Sequence, residues 1–153
     1  MSGEACPMPQ DLTPQERGPI EHMLAAKRIA VVGASDSPHR ASFGVMSYLL
    51  AHGYELVPIN PNHTQVLGLR CYPALRDVPG AVDVVNVFRR PEYCADVARD
   101  AVAIQAKGVW LQSGIVSDEA ARVAGRAGIW FVQDHCVMVE HMRWARARNN
   151  PGR

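Results

Sequence analysis

No apolar run in this 153-residue chain approaches the roughly 20 residues that a membrane-spanning helix needs. The first residues, from Met1 to Pro7, lack a basic stretch followed by an apolar one, so no export signal is expected. Cysteine is sparse. Cys6, Cys71, Cys94 and Cys136 form no Cys-x-x-Cys pair, which argues against a zinc site and for reduced thiols. Excess charge is missing too: 16 Lys and Arg stand against 15 Asp and Glu, a net charge of +1. Without a global field, neither nucleic acid nor a membrane surface is an expected partner. Internal repeats and low-complexity segments are absent. These absences leave a single domain in the cytoplasm as the expectation, and 48% apolar residues are enough to give it a core.

The strongest local signal is the stretch from Arg28 to Pro38. Ile29 to Val32 form a short apolar run closed by Gly33, Ala34 and Ser35, the pattern of a buried parallel strand and a small-residue turn. From Gly44 to His52, apolar residues recur at helical spacing until Gly53 stops them, and a second strand spans Tyr54 to Asn60. This is the opening of a doubly wound nucleotide-binding fold, whose first turn is expected to offer backbone N–H groups to a phosphate. A plain βαβ unit with no ligand remains the alternative.

Residues 1–12 read as a flexible arm, 13–148 as the domain and 149–153 as a flexible tail. Thr13-Pro14-Gln15-Glu16 predicts a helix start by capping box, although Gly18-Pro19 should interrupt that helix. Residues 62–73 read as a loop, and 74–78 as one helical turn. The third strand spans 82–88, and a helix runs from Glu92 to about Lys107 behind Pro91. The fourth strand spans 109–112. A helix capped by Ser117 runs to Gly128, the fifth strand spans 129–132, and the last helix 139–148. Five strands alternating with helices predict a three-layer α/β/α fold with a parallel sheet, in the order 3-2-1-4-5.

In such folds ligands bind beyond the carboxyl ends of the strands, here expected at a switch point between the first and fourth. Five stretches should therefore converge: Gly33-Ala34-Ser35, Asn60-Pro61-Asn62, Phe88-Arg89-Arg90, Gln112-Ser113-Gly114 and Asp134-His135-Cys136. Two arginines, hydroxyls, amides and a ring suit a phosphorylated ligand with a flat base, although a solvated arginine pair and a core ring are the plainer readings. Arg40 adds a cation in the first loop. NAD is disfavoured because Gly-x-Gly-x-x-Gly is missing and Asn60 stands where an acid would meet the ribose. His39, His63 and His135 read as solvated loop residues. No catalytic dyad and no metal ligand set is evident.

Seven stretches carry a family resemblance: Ala30 to Ser35, Ser42 to Val45, Gly53-Tyr54, Pro58 to Pro61, Val87 to Pro91, Lys107 to Gln112 and Asp134 to His141. In this order and spacing the chain resembles the small CoA-binding proteins related to the N-terminal domain of the succinyl-CoA synthetase α subunit. The resemblance implies a Rossmann-type fold, coenzyme A as cofactor and no known reaction. It places the phosphates at Gly33, Ala34 and Ser35. Asn60, Pro61 and Asn62 would border the adenosine 3′-phosphate, and Phe88, Arg89 and Arg90 the adenine and pyrophosphate. Arg40, Gln112 and Gly114 complete the expected set. The synthetase's catalytic histidine lies in a second domain, so ligase activity is not implied. Two other readings stand beside CoA binding: an NAD(P)-dependent oxidoreductase, and a CoA-binding subunit serving an acyl-CoA-metabolising partner. Cys136 reads as a buried hydrophobe, with a mixed disulfide to the CoA thiol as the alternative.

Overall fold

A computed structural model describes residues 11–149, and the parts of the expected arm and tail at 1–10 and 150–153 lie outside the described residues. The first helix, α1 (Pro14–Leu24), starts as its sequence dictates. The Thr13 hydroxyl accepts the Glu16 N–H, and the Glu16 carboxylate accepts the Thr13 N–H. The helix then runs through Gly18-Pro19 instead of breaking there. Pro19 removes one bond, to the carbonyl of exposed Gln15, and burial of Ile20, Met23 and Leu24 outweighs that loss.

Strand β1 (Arg28–Val32) leads to α2 (Ala41–Ala51) and β2 (Glu55–Ile59). The expected loop at 62–73 contains a small hairpin, β3 (Gln65–Val66) and β4 (Leu69–Arg70). Its two turn residues, Leu67 and Gly68, both have positive φ, the signature of a tight hairpin turn. A 3₁₀ turn at Leu75–Asp77 precedes β5 (Val84–Val87), α3 (Pro91–Ala103), β6 (Gly108–Leu111), α4 (Asp118–Ala127), β7 (Trp130–Val132) and α5 (Val137–Asn149). Ser117 caps α4 by accepting the Ala120 N–H, and left-handed Gly128 ends it.

The five long strands form one parallel sheet in the order β2-β1-β5-β6-β7. The expected order 3-2-1-4-5 is corrected: the third strand, β5, lies inside, against β1. Pro58 in β2 supplies a physical reason. The neighbouring outward N–H, on Asn60, donates to the Tyr72 carbonyl, and the Tyr72 N–H donates to the Pro58 carbonyl. Pro58 therefore turns its missing donor to the outer side, which suits an edge strand and not an inner one. The ligand crevice of such an order lies between β1 and β5, not between the first and fourth strands.

Alternate residues of each strand serve opposite layers. Ile29, Val31, Val84 and Trp110 pack with residues of α1, α2 and α5, while Ala30, Val32, Val85, Val87, Val109 and Leu111 pack with α3 and α4. No described helix is long and apolar enough to cross a membrane.

Candidate functional site

Beyond the carboxyl ends of β2, β1, β5 and β6 lies a cavity of 810 Å³, within the size range of small-molecule sites. Of the twelve residues expected at a ligand site, ten line it: Gly33, Ser35, Arg40, Asn60, Asn62, Phe88, Arg89, Arg90, Gln112 and Gly114. Ala34 and Pro61 do not. Ala34 is fully buried, and its carbonyl accepts the Asn60 side-chain amide at 2.8 Å. Ala41, Ser42, His63, Pro91, Ser113 and Ile115 complete the wall. Ala41 and Ser42 could have been found from the helix start that follows Arg40. His63 carries no local signal.

The turn after β1 has two of its three expected backbone donors already engaged. The Gly33 and Ala34 N–H groups both donate to the Ile59 carbonyl, at 3.0 and 3.3 Å. Helix α2 begins only at Ala41, because the turn from Ser37 to Arg40, with Pro38 at its second position, intervenes. The N–H groups of Ala41 and Ser42, at the first two helix positions, have no carbonyl inside the helix to meet, and Arg40 makes no side-chain cap. The positive helix end therefore faces the cavity at Arg40, Ala41 and Ser42. The loop is held by the Asp36 carboxylate, which accepts the Leu67 N–H of the hairpin at 2.9 Å.

Gly33 has φ +87°, and a Cβ there would run into the Phe88 carbonyl oxygen and lie 3.3 Å from the Phe88 Cβ. The ends of β1 and β5 thus approach too closely for any side chain. Phe88 is half-buried against the core and also lines the cavity, so it serves both roles.

Arg89 stacks its guanidinium over the Tyr93 ring at 4.2 Å. Among the described residues, no carboxylate forms an ion pair with Arg40, Arg89 or Arg90. Their charge remains available to an anion. Beneath them, the Cys94 thiol points at the carbonyls of Arg89 and Arg90, at 3.6 and 3.4 Å, and fixes their backbone. Burial pushes the Cys94 thiol up, with Arg89 pulling it back and Glu92 adding to the rise. Burial likewise raises Cys71, whose thiol points at the Asn60 carbonyl. Neither is a ready thiolate at neutral pH.

The fifth expected stretch does not reach the cavity wall. Asp134 accepts the Gly114 N–H at 2.7 Å and so positions the loop after β6. His135 is buried, not solvated: its Nε2 lies 3.0 Å from Glu16 and its Nδ1 3.5 Å from Glu140, tying α1 to α5. Burial raises the Glu16 pKa, but the Thr13 N–H, His135 and the Thr13 hydroxyl outweigh it and hold the carboxyl below its usual range. Cys136 is 4% exposed within the core and does not line the cavity, so a mixed disulfide with a ligand there has no geometric support.

A family model described as CoA binding domain matches residues 27–142. The Uncharacterized protein YneT of Bacillus subtilis is 38% identical over 121 residues, covering 79% of this chain and 90% of that protein. The Acetate–CoA ligase [ADP-forming] II of Archaeoglobus fulgidus is 29% identical over 69% of this chain, which spans 16% of the ligase's length. The solved structure of a hypothetical protein from Pyrococcus horikoshii superimposes with a TM-score of 0.81 at 37% identity, over 89% of this chain and 98% of that one.

Proposed function

The chain belongs to the CoA-binding domain family, and from that premise we propose that it binds coenzyme A or an acyl-CoA in the cavity between β1 and β5. The observation that carries this reading is the set of unpaired cations, Arg40, Arg89 and Arg90, around a cavity that also holds a helix N-terminus and an aromatic ring. CoA carries a pyrophosphate and a ribose 3′-phosphate. Arginine meets such groups through paired donors, and a helix start meets them through orphan N–H groups.

In this reading the phosphates lie against Arg40, Ala41, Ser42, Ser35, Arg89 and Arg90. Gly33 lets them approach the end of β1. Phe88 offers its face to the adenine. Asn62 and His63 border the 3′-phosphate, with Asn60 and Pro61 shaping the turn that presents them. Asn60 is engaged in holding the turn: its Oδ1 accepts the Asn62 N–H at 2.8 Å and its amide nitrogen donates to the Ala34 carbonyl at 2.8 Å. The domain holds its ligand without supplying a catalytic group of its own. A second reading, a unit that lends this domain to an acyl-CoA ligase partner in the cytoplasm, draws on the ligase relative.

The test is native mass spectrometry of freshly purified protein, followed by thermal melts with CoA, dephospho-CoA and NAD. Ligand at 100 times its Kd adds about 2.7 kcal/mol, or roughly 5–11 °C for a domain of this size. CoA should shift the melt most and dephospho-CoA less. A larger shift from NAD would overturn the reading.

A further inference from the structure

Gln112 follows β6, is 5% exposed and lines the cavity. Its Oε1 accepts two bonds, from the Val137 N–H at 2.9 Å and from the Asn86 amide nitrogen at 3.1 Å. A backbone N–H can only donate, so Oε1 must face Val137, the first residue of α5, and the amide cannot be flipped. Asn86 is oriented in the same way, because its nitrogen also donates to the Trp110 carbonyl at 3.3 Å. Its Oδ1 meets no donor although Asn86 is fully buried in the middle of the sheet. A polar side chain left half-satisfied there needs an explanation, and holding the Gln112 amide in one orientation is one.

Once Oε1 is engaged, Nε2 is the part of Gln112 without a partner among the described residues. It is not among the enclosed unsatisfied atoms, so it opens to the cavity. The end of the cavity formed by Gln112, Ser113, Gly114 and Ile115 has no charged side chain, whereas Arg40, Arg89 and Arg90 line the rest. A ligand with a polyanionic head and a neutral arm is sorted by this division, with the arm toward β6.

We propose that the Gln112 amide N–H is a specificity-determining donor to a carbonyl oxygen on the neutral arm of the ligand, and that Asn86 is its positioning residue. This rests on the CoA reading above. On that arm the acceptor is either a pantetheine amide or an acyl thioester carbonyl, which present the same chemistry.

The experiment titrates the full chain by calorimetry with adenosine 3′,5′-bisphosphate, CoA, acetyl-CoA and S-ethyl-CoA. Gln112→Glu keeps an acceptor facing Val137 and Asn86, replaces the donor with an oxygen and adds a negative charge. Gln112→Met removes both without adding charge, and melts confirm that each variant folds. Loss of the bond should weaken each ligand that carries the accepting carbonyl about tenfold, and the bisphosphate less or not at all. Repulsion from a new carboxylate would fall at least as hard on the bisphosphate, so a selective loss in Gln112→Glu reports the donor. A loss already seen with CoA assigns the bond to a pantetheine amide. A loss seen with acetyl-CoA but not with S-ethyl-CoA assigns it to the thioester. Equal changes across all four ligands, or none, overturn the proposal while CoA binding stands. A parent protein that binds none of the four overturns the CoA reading itself.

Discussion

Replacing Gly33 with Ala separates what the turn after β1 does for the fold from what it does for a ligand. Gly33 has φ +87°, a left-handed value that costs a side-chain-bearing residue about 1–2 kcal/mol. The added Cβ also meets the Phe88 carbonyl oxygen and lies 3.0 Å from the Phe88 carbonyl carbon, so one backbone must move. That backbone is held: the Phe88 N–H donates to the Val32 carbonyl at 2.8 Å, and weakening such a bond costs about 0.5–1.5 kcal/mol. The combined loss is about 1.5–3.5 kcal/mol, or roughly 3–14 °C in Tm. Gly114→Ala is the control. Its φ is +82°, yet a Cβ there meets nothing within 4 Å, so it carries the dihedral strain alone. Melts followed by circular dichroism without ligand should show Gly33→Ala clearly less stable than Gly114→Ala. Equal losses would show that the approach of β1 to β5 is not what requires glycine at position 33.

Two further outcomes are expected. Arg89→Ala with Arg90→Ala should leave the Tm nearly unchanged, because both side chains sit at the surface of the cavity and Cys94 still holds their backbone. CoA affinity should fall at least about tenfold, from losing charge-assisted bonds of about 1.5–3 kcal/mol; unchanged calorimetric affinity would show that the phosphates lie elsewhere. His141 is buried, with its Nδ1 2.7 Å from the Tyr48 hydroxyl, and burial, then the charge of neighbouring His52, hold its pKa below the ordinary 6.5. A depressed folded pKa means that the unfolded chain binds the proton more readily. Its contribution to stability is therefore complete above about pH 6.5 and declines as pH falls toward the folded pKa. Melts from about pH 7.5 to 5 should show a steeper loss for the parent than for His141→Asn, and parallel curves would refute the assignment.

The helix starts at Thr13 and Ser117, the stop at Gly128 and the strands from Ile29 to Val32 and Val84 to Val87 follow from local patterns. Their causes are hydrogen bonds within one turn and alternation along one strand, and a sequence displays both directly. Four of the five stretches expected at the ligand crevice meet there for a similar reason: parallel strands deliver their carboxyl ends to one edge whatever their order. Strand order itself, and with it the switch point, depended on which side of β1 the chain returned to after β2. The capacity of each site group was decided only by contacts between distant residues. Ile59 occupies the Gly33 and Ala34 N–H groups, Val137 and Asn86 orient Gln112, and Glu16 receives His135 across 119 positions. A residue type announces which bonds it can make. The packed fold alone decides which of them are already taken, and so which donors and charges remain for a ligand.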